Sequence, residues 1–112
     1  MFAFAHLFDQ LVNSWIDTPR LLQAEENYSD GNLDIAETLY DSAIFSAKEH
    51  HFLGEEALAN QLSAFFHLEI GSTNNAKICF SHAIKKYREW EAFGLAKSLE
   101  QRLTFLTNNS LT

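Results

Sequence analysis

Few side chains in this sequence have chemical potential, and their spacing sets what they can do. His50 and His51 are adjacent. Neighbours on a helix point about 100° apart, so one metal ion engages both only where a helix ends. His6, His67 and His82 form no H-x3-H pair and have no cysteine pair beside them, so no metal or cofactor is expected. Cys79 is the only cysteine. With no base partner specified, it reads as a buried structural thiol rather than a nucleophile. Glu25-Glu26 and Glu55-Glu56 are paired carboxylates, but general acid–base work needs a cleft and shifted pKa values. On exposed helices they read as solvated faces or as complements to a helix dipole. Lys77, Lys85 and Arg88 fall within about 80° of one another at helical spacing, making a basic outer face. That face suits an acidic peptide, a neighbouring copy, or simply water. No catalytic residue is expected.

The elements that position these groups come from composition and punctuation. A chain of 112 residues with 46% hydrophobic content and ten Phe fits one folded domain. Net charge is −7, which argues against nucleic-acid binding because phosphate contacts need clustered Lys and Arg. Residues 17–56 hold ten of the fifteen acids and only Arg20 and Lys48, whereas residues 77–102 hold the other six bases. That asymmetry either orients partners or reflects solvated helix faces. A single cysteine favours a reducing, cytoplasmic setting. Residues 1–16 lack the basic start and cleavage site of a signal peptide. Phe4, Phe8, Leu11, Val12 and Trp15 instead recur at helical spacing. No stretch approaches the ~18 apolar residues that a membrane span requires, so no membrane association is expected.

An all-α array of about six helices is expected, since no period-two alternation supports a strand. After an amphipathic helix in 1–17, Thr18-Pro19 caps a helix near 19–29, and Asp30-Gly31-Asn32 turns the chain. Further helices follow near 33–50, 55–70, 73–89 and 92–106. The resulting division is a first repeat over 18–53, a second over 54–91, a closing helix over 92–107 and a tail over 108–112. Gly31, Ala36, Tyr40, Ala43 and Ile44 return as Gly71, Ala76, Phe80, Ala83 and Ile84, a period of 40. A fixed period in the range of about 20–50 residues marks stacked supersecondary units that bury their faces on one another.

Glycine, small, aromatic and small at these intervals resembles the second half of the tetratricopeptide repeat, lengthened from its usual period of about 34. A closer match runs from Glu55 to Arg102 through Phe65-Phe66, Gly71, Tyr87, Trp90 and Leu99-Glu100. It is similar to the helical-repeat region of large signalling proteins that combine kinase-like, AAA-type ATPase, GAF and often histidine-kinase domains. Leu22, Ala24-Glu25, Tyr40-Asp41 and Ala43-Ile44 fit as well, so the resemblance covers about residues 18–104. Where that family usually has Gly after the Trp, this chain has Glu91. No phosphate loop or kinase signature accompanies it. The resemblance therefore implies the scaffold segment of such a protein, not its catalysis.

In tetratricopeptide pairs the first helix lines a concave groove. Carried over, this puts Glu25, Tyr28, Gln61, Phe65, Leu68 and Glu69 on a groove wall suited to a peptide. The N-terminal helix or a neighbouring repeat is the competing occupant. The expected role is a noncatalytic protein-binding or spacer scaffold in signal transduction. The alternative is a homo-oligomerisation module that closes its apolar end helices against another copy.

Overall fold

The computed structural model describes residues 19–110. They form five helices: α1 (Pro19–Ser29), α2 (Leu33–Glu49), α3 (Leu53–Glu69), α4 (Thr73–Glu89) and α5 (Phe93–Ser110). No strand occurs among the described residues. Five helices are thus seen rather than about six, and the one expected over 1–17 lies outside the described residues. The closing helix runs on to Ser110, into the expected tail.

Four turns of one design join the helices. Gly31, His51, Gly71 and Glu91 take positive φ values of 86°, 58°, 86° and 64°. In each turn the next residue's N–H reaches back five positions: Asn32 to Asn27 at 2.8 Å, Phe52 to Ala47 at 2.9 Å, Ser72 to His67 at 2.8 Å and Ala92 to Tyr87 at 2.8 Å. The positive-φ residue itself donates three positions back, as from Gly71 to the Leu68 carbonyl at 3.2 Å. This pair of bonds is the Schellman arrangement, which satisfies carbonyls that the helix end leaves over. The following residue doubles as the N-cap of the next helix, its carbonyl accepting from Ala36, Glu56, Ala76 or Ala96. The geometric period is therefore 20 residues, half of the sequence period.

The repeated small residues let helix backbones approach. Ala24, Ala36, Ala43 and Ala59 pack with Tyr40, Leu58, Leu62 and Phe66 in one core cluster. Ala57, Ala64, Ala76, Ala83 and Ala96 pack with Phe80, Ile84, Tyr87 and Leu99 in a second. The two meet on α3, which is buried without a break from Glu56 to Ala64. Cross-contacts Phe65–Phe80 and Gln61–Tyr87 show that α3 and α4 run antiparallel. Each large apolar side chain buried in this way contributes roughly 1.5–3 kcal/mol, so α3 anchors the fold.

The last helix spends its apolar stripe inside. Ala96, Leu99, Leu103 and Leu106 belong to the second cluster. Its exposed residues include Lys97, Gln101, Thr104 and Asn108, with Phe93, Leu95 and Phe105 the apolar exceptions. Forty residues earlier those four positions are Ala57, Gln61, Ala64 and Leu68, of which Ala57, Ala64 and Leu68 join the cluster that α4 fills. The polar replacement makes α5 resemble an end helix.

Candidate functional site

The six residues expected on a groove wall fall into two groups. Glu25, Tyr28 and Glu69 come together, and burial, helped by Glu69 and Glu25, pushes the Tyr28 phenol up to about 12. Tyr28 also stands edge-on to Phe66, with ring centroids 5.3 Å apart. The Tyr40 hydroxyl lies beside Glu25, and burial above all raises its pKa. The other three residues turn toward α4 and α5. Phe65 meets Phe80 edge-on at 5.4 Å and carries the Arg102 guanidinium 4.9 Å above its ring. Leu68 packs against the same cluster. Gln61 is buried, and its Oε1 accepts the Tyr87 hydroxyl at 2.6 Å. The α3 helix thus offers Phe65, Leu68 and Glu69 at its C-terminal end, whereas Gln61 is committed to the interior.

The expected basic face is divided in a similar way. Lys85 is exposed and Lys77 half-buried. Arg88 bonds to Glu100 and so ties α4 to α5. Lys86, outside that set, turns inward: its Nζ is 3.2 Å from Glu89 and 3.8 Å from Glu56.

A polar seam joins Glu56 and His67 to two residues without a sequence signal of function, Asn60 and Ser63. Glu56, Asn60, Ser63 and His67 recur at intervals of 4, 3 and 4 on one face of α3, and all four are buried. Helix α2 supplies Glu37, whose Oε1 is 4.0 Å from His67 Nε2. The other ring nitrogen, Nδ1, is buried without a hydrogen-bond partner. Helix α4 supplies Cys79, whose Sγ donates to Ser63 Oγ at 3.6 Å. Burial pushes the Cys79 thiol up, Ser63 lowers it and Asp41 raises it further. A thiol held in its neutral form is a poor nucleophile. Burial also raises the Asp41 carboxyl, with Glu37 adding and His67 opposing. Among the described residues no group of three or more His, Cys, Asp or Glu side chains is placed to hold a metal ion.

The seam opens at its Glu56 end into a cleft of about 590 Å³ lined by Lys48, Glu49, His51, Leu53, Glu56 and Lys86. The α2–α3 turn forms one side and α4 another. His50 donates its Nδ1–H to the Ser46 carbonyl, 2.7 Å away, and stacks on Phe52. His51 faces the cleft, so the adjacent histidines do separate work.

No helix among the described residues is long and apolar enough to cross a membrane. Comparisons with protein-family models, curated proteins and solved structures find no match.

Proposed function

We propose that residues 19–110 are a tetratricopeptide-like helical-repeat module serving as a protein-binding or spacer scaffold within cytoplasmic signalling. The observation that carries this reading is the turn repeated at residues 31, 51, 71 and 91 with one hydrogen-bond pattern. Such regularity stacks helices into an array whose surfaces hold partners. The resemblance of the sequence to the helical region of multidomain signalling proteins points the same way. The partner surface is the C-terminal end of α3, where Phe65 and Leu68 are half-buried and Glu69 is exposed, with Tyr28 and Glu25 grouped beside Glu69.

A photo-crosslinking residue at Leu68, compared with one at Lys85, tests this in the native host. The expected result is a protein adduct from position 68 that Phe65→Glu or Glu69→Lys removes while circular dichroism stays helical. Equal adducts from both positions, or none, would overturn it. Self-association has less support, because α5 has committed Ala96, Leu99, Leu103 and Leu106 to its own core. Light scattering that finds only monomer at high concentration removes that reading.

A further inference from the structure

The 40-residue repeat puts α2 and α4 in equivalent places but gives them opposite charge. Each helix is 17 residues long. The first carries Asp34, Glu37, Asp41 and Glu49 against Lys48 alone. The second carries Lys77, Lys85, Lys86 and Arg88 against Glu89 alone. Glu37 of α2 reaches His67, and Cys79 of α4 reaches Ser63, one turn apart on the same face of α3. Asp41 of α2 lies near enough to Cys79 to act on its thiol. The two helices therefore flank one side of α3, and they run parallel because each is antiparallel to α3. Their outer faces make one surface, negative along α2 and positive along α4.

Each helix also sets one large apolar side chain in that surface. Phe45 is 64% exposed and Ile78 54%. On α2, Asp34, Thr38, Asp41 and Phe45 fall within about 60° of one another, opposite the buried Ala36, Tyr40, Ala43 and Ala47. On α4, Ile78, Ser81 and Lys85 span a similar arc, opposite Ala76, Phe80, Ala83 and Tyr87. Some of the charges are already answered within the chain. Arg88 bonds to Glu100, and Lys86 holds Glu89 and faces Glu56. Asp34, Asp41 and Lys85 are exposed, and these are the charges that an incoming surface meets.

We propose that this surface pairs two copies of the chain about a two-fold axis, with α2 of each antiparallel on α4 of the other. The charges select that arrangement. Laying α2 on α2 opposes acids to acids. Laying α2 parallel on α4 at the repeat offset brings Lys48 onto Arg88 and Phe45 onto Lys85. Antiparallel and centred, Phe45 meets Ile78, Asp41 meets His82, and Lys85 lands between Asp34 and Asp41 beside Glu37. The two-fold axis makes every contact twice and closes the assembly at two copies. Two helices about 25 Å long and about 10 Å apart present roughly 500 Å² per copy, about 1,000 Å² in all. That area is at the lower bound of a specific interface, so the dimer forms in a concentration-dependent equilibrium. Unlike closure by the end helices, this pairing needs nothing from the α5 stripe, which is spent inside. It does not rest on the scaffold reading either.

Sedimentation velocity of the full chain over a concentration series tests the pairing. A monomer–dimer equilibrium with no larger species is expected, weakened by added salt because the charges are exposed. Lys85→Glu should weaken the dimer by about tenfold or more, since symmetry reverses the charge at two places. Asp34→Lys combined with Asp41→Lys should do the same. Mixing these two variants should restore dimers, because each acidic face then meets a basic one. Phe45→Ser, which alters no charge, should weaken the dimer independently. All these positions are exposed, and circular dichroism checks that the helices are unchanged. Monomer at every concentration, a dimer indifferent to Lys85→Glu, or charge variants that stay apart when mixed would each overturn the pairing. A crosslink from position 85 between two copies of this chain counts for the pairing alone. An adduct at Leu68 from a strictly monomeric chain would defeat the pairing and leave the scaffold standing. Dimers with no adduct at Leu68 would do the reverse.

Discussion

The same substitution, glycine to alanine, should change sign between Gly71 and Gly94, and the structure supplies the magnitude. At neither position does an added Cβ come within 4 Å of a neighbour, so packing drops out and only backbone conformation remains. Gly71 has φ 86°, in the left-handed region, whereas Gly94 lies in the first turn of α5. Alanine at 71 incurs about 1–2 kcal/mol of left-handed cost, less roughly 0.5–1 kcal/mol returned by a stiffer unfolded chain. His51 and Glu91 close the same turn near φ 60°, so the alanine variant has a known geometry to relax into. The net loss should be about 1 kcal/mol, or about 4–6 °C in Tm for a domain of this size. Gly94→Ala has only the entropic gain and should stabilise by about 0.5 kcal/mol. Urea unfolding of the two variants, with unchanged m-values, measures both. A neutral Gly71→Ala, or a Gly94→Ala that destabilises as much, would refute the assignment of the cost to turn conformation.

Two more outcomes follow from the interior. Tyr87→Phe should cost about 1–3 kcal/mol in a chemical melt, because Gln61 Oε1 is left buried without its 2.6 Å donor; a loss below about 0.5 kcal/mol would mean that Gln61 finds another partner. Raising pH should destabilise the fold from about pH 10 upward, the range in which an ordinary phenol ionises. Tyr28 is raised from 10.0 to about 12, and burial raises Tyr40 and Tyr87 as well. A folded pKa above the unfolded one means stability intact below the unfolded value and lost as pH rises through the folded value. Urea midpoints that stay level between pH 9 and 11 would contradict this.

Much of the fold was legible because the turns are written in local chemistry. Thr18-Pro19 marked the start of α1, and Gly31 and Gly71 marked two turns, since left-handed φ selects glycine. His51 and Glu91 carry no such mark. The four-residue hydrogen-bonding frame around each imposes the conformation against residue preference, which is why the period read as 40 rather than 20. The site was less legible for a different reason. Gln61 sits about 130° round from the polar seam on α3, and only the position of Tyr87 on the next helix decides that it is buried. Amphipathic reasoning treats a helix as having one wet side, and α3 has none between Glu56 and Ala64.

That burial explains why the chemistry gathers on α3. A helix covered on every side can keep polar side chains only where neighbours answer them, and the answers come from the two helices beside it: Glu37 of α2 for His67, and Cys79 and Lys86 of α4 for Ser63 and Glu56. The answers weaken along the seam. Asn60 closes on the Glu56 carbonyl at 3.0 Å, whereas Glu56 and His67 at the two ends hold contacts of 3.8 and 4.0 Å. Hydrogen bonds that are nearly made stabilise little, yet replacing Glu56 by the alanine found at 36, 76 and 96 would remove a buried charge outright. The carboxylate is tolerated there because Glu56 also lines the cleft with Lys48 and Lys86, so its charge has an ammonium at 3.8 Å and an open side rather than a closed apolar surround.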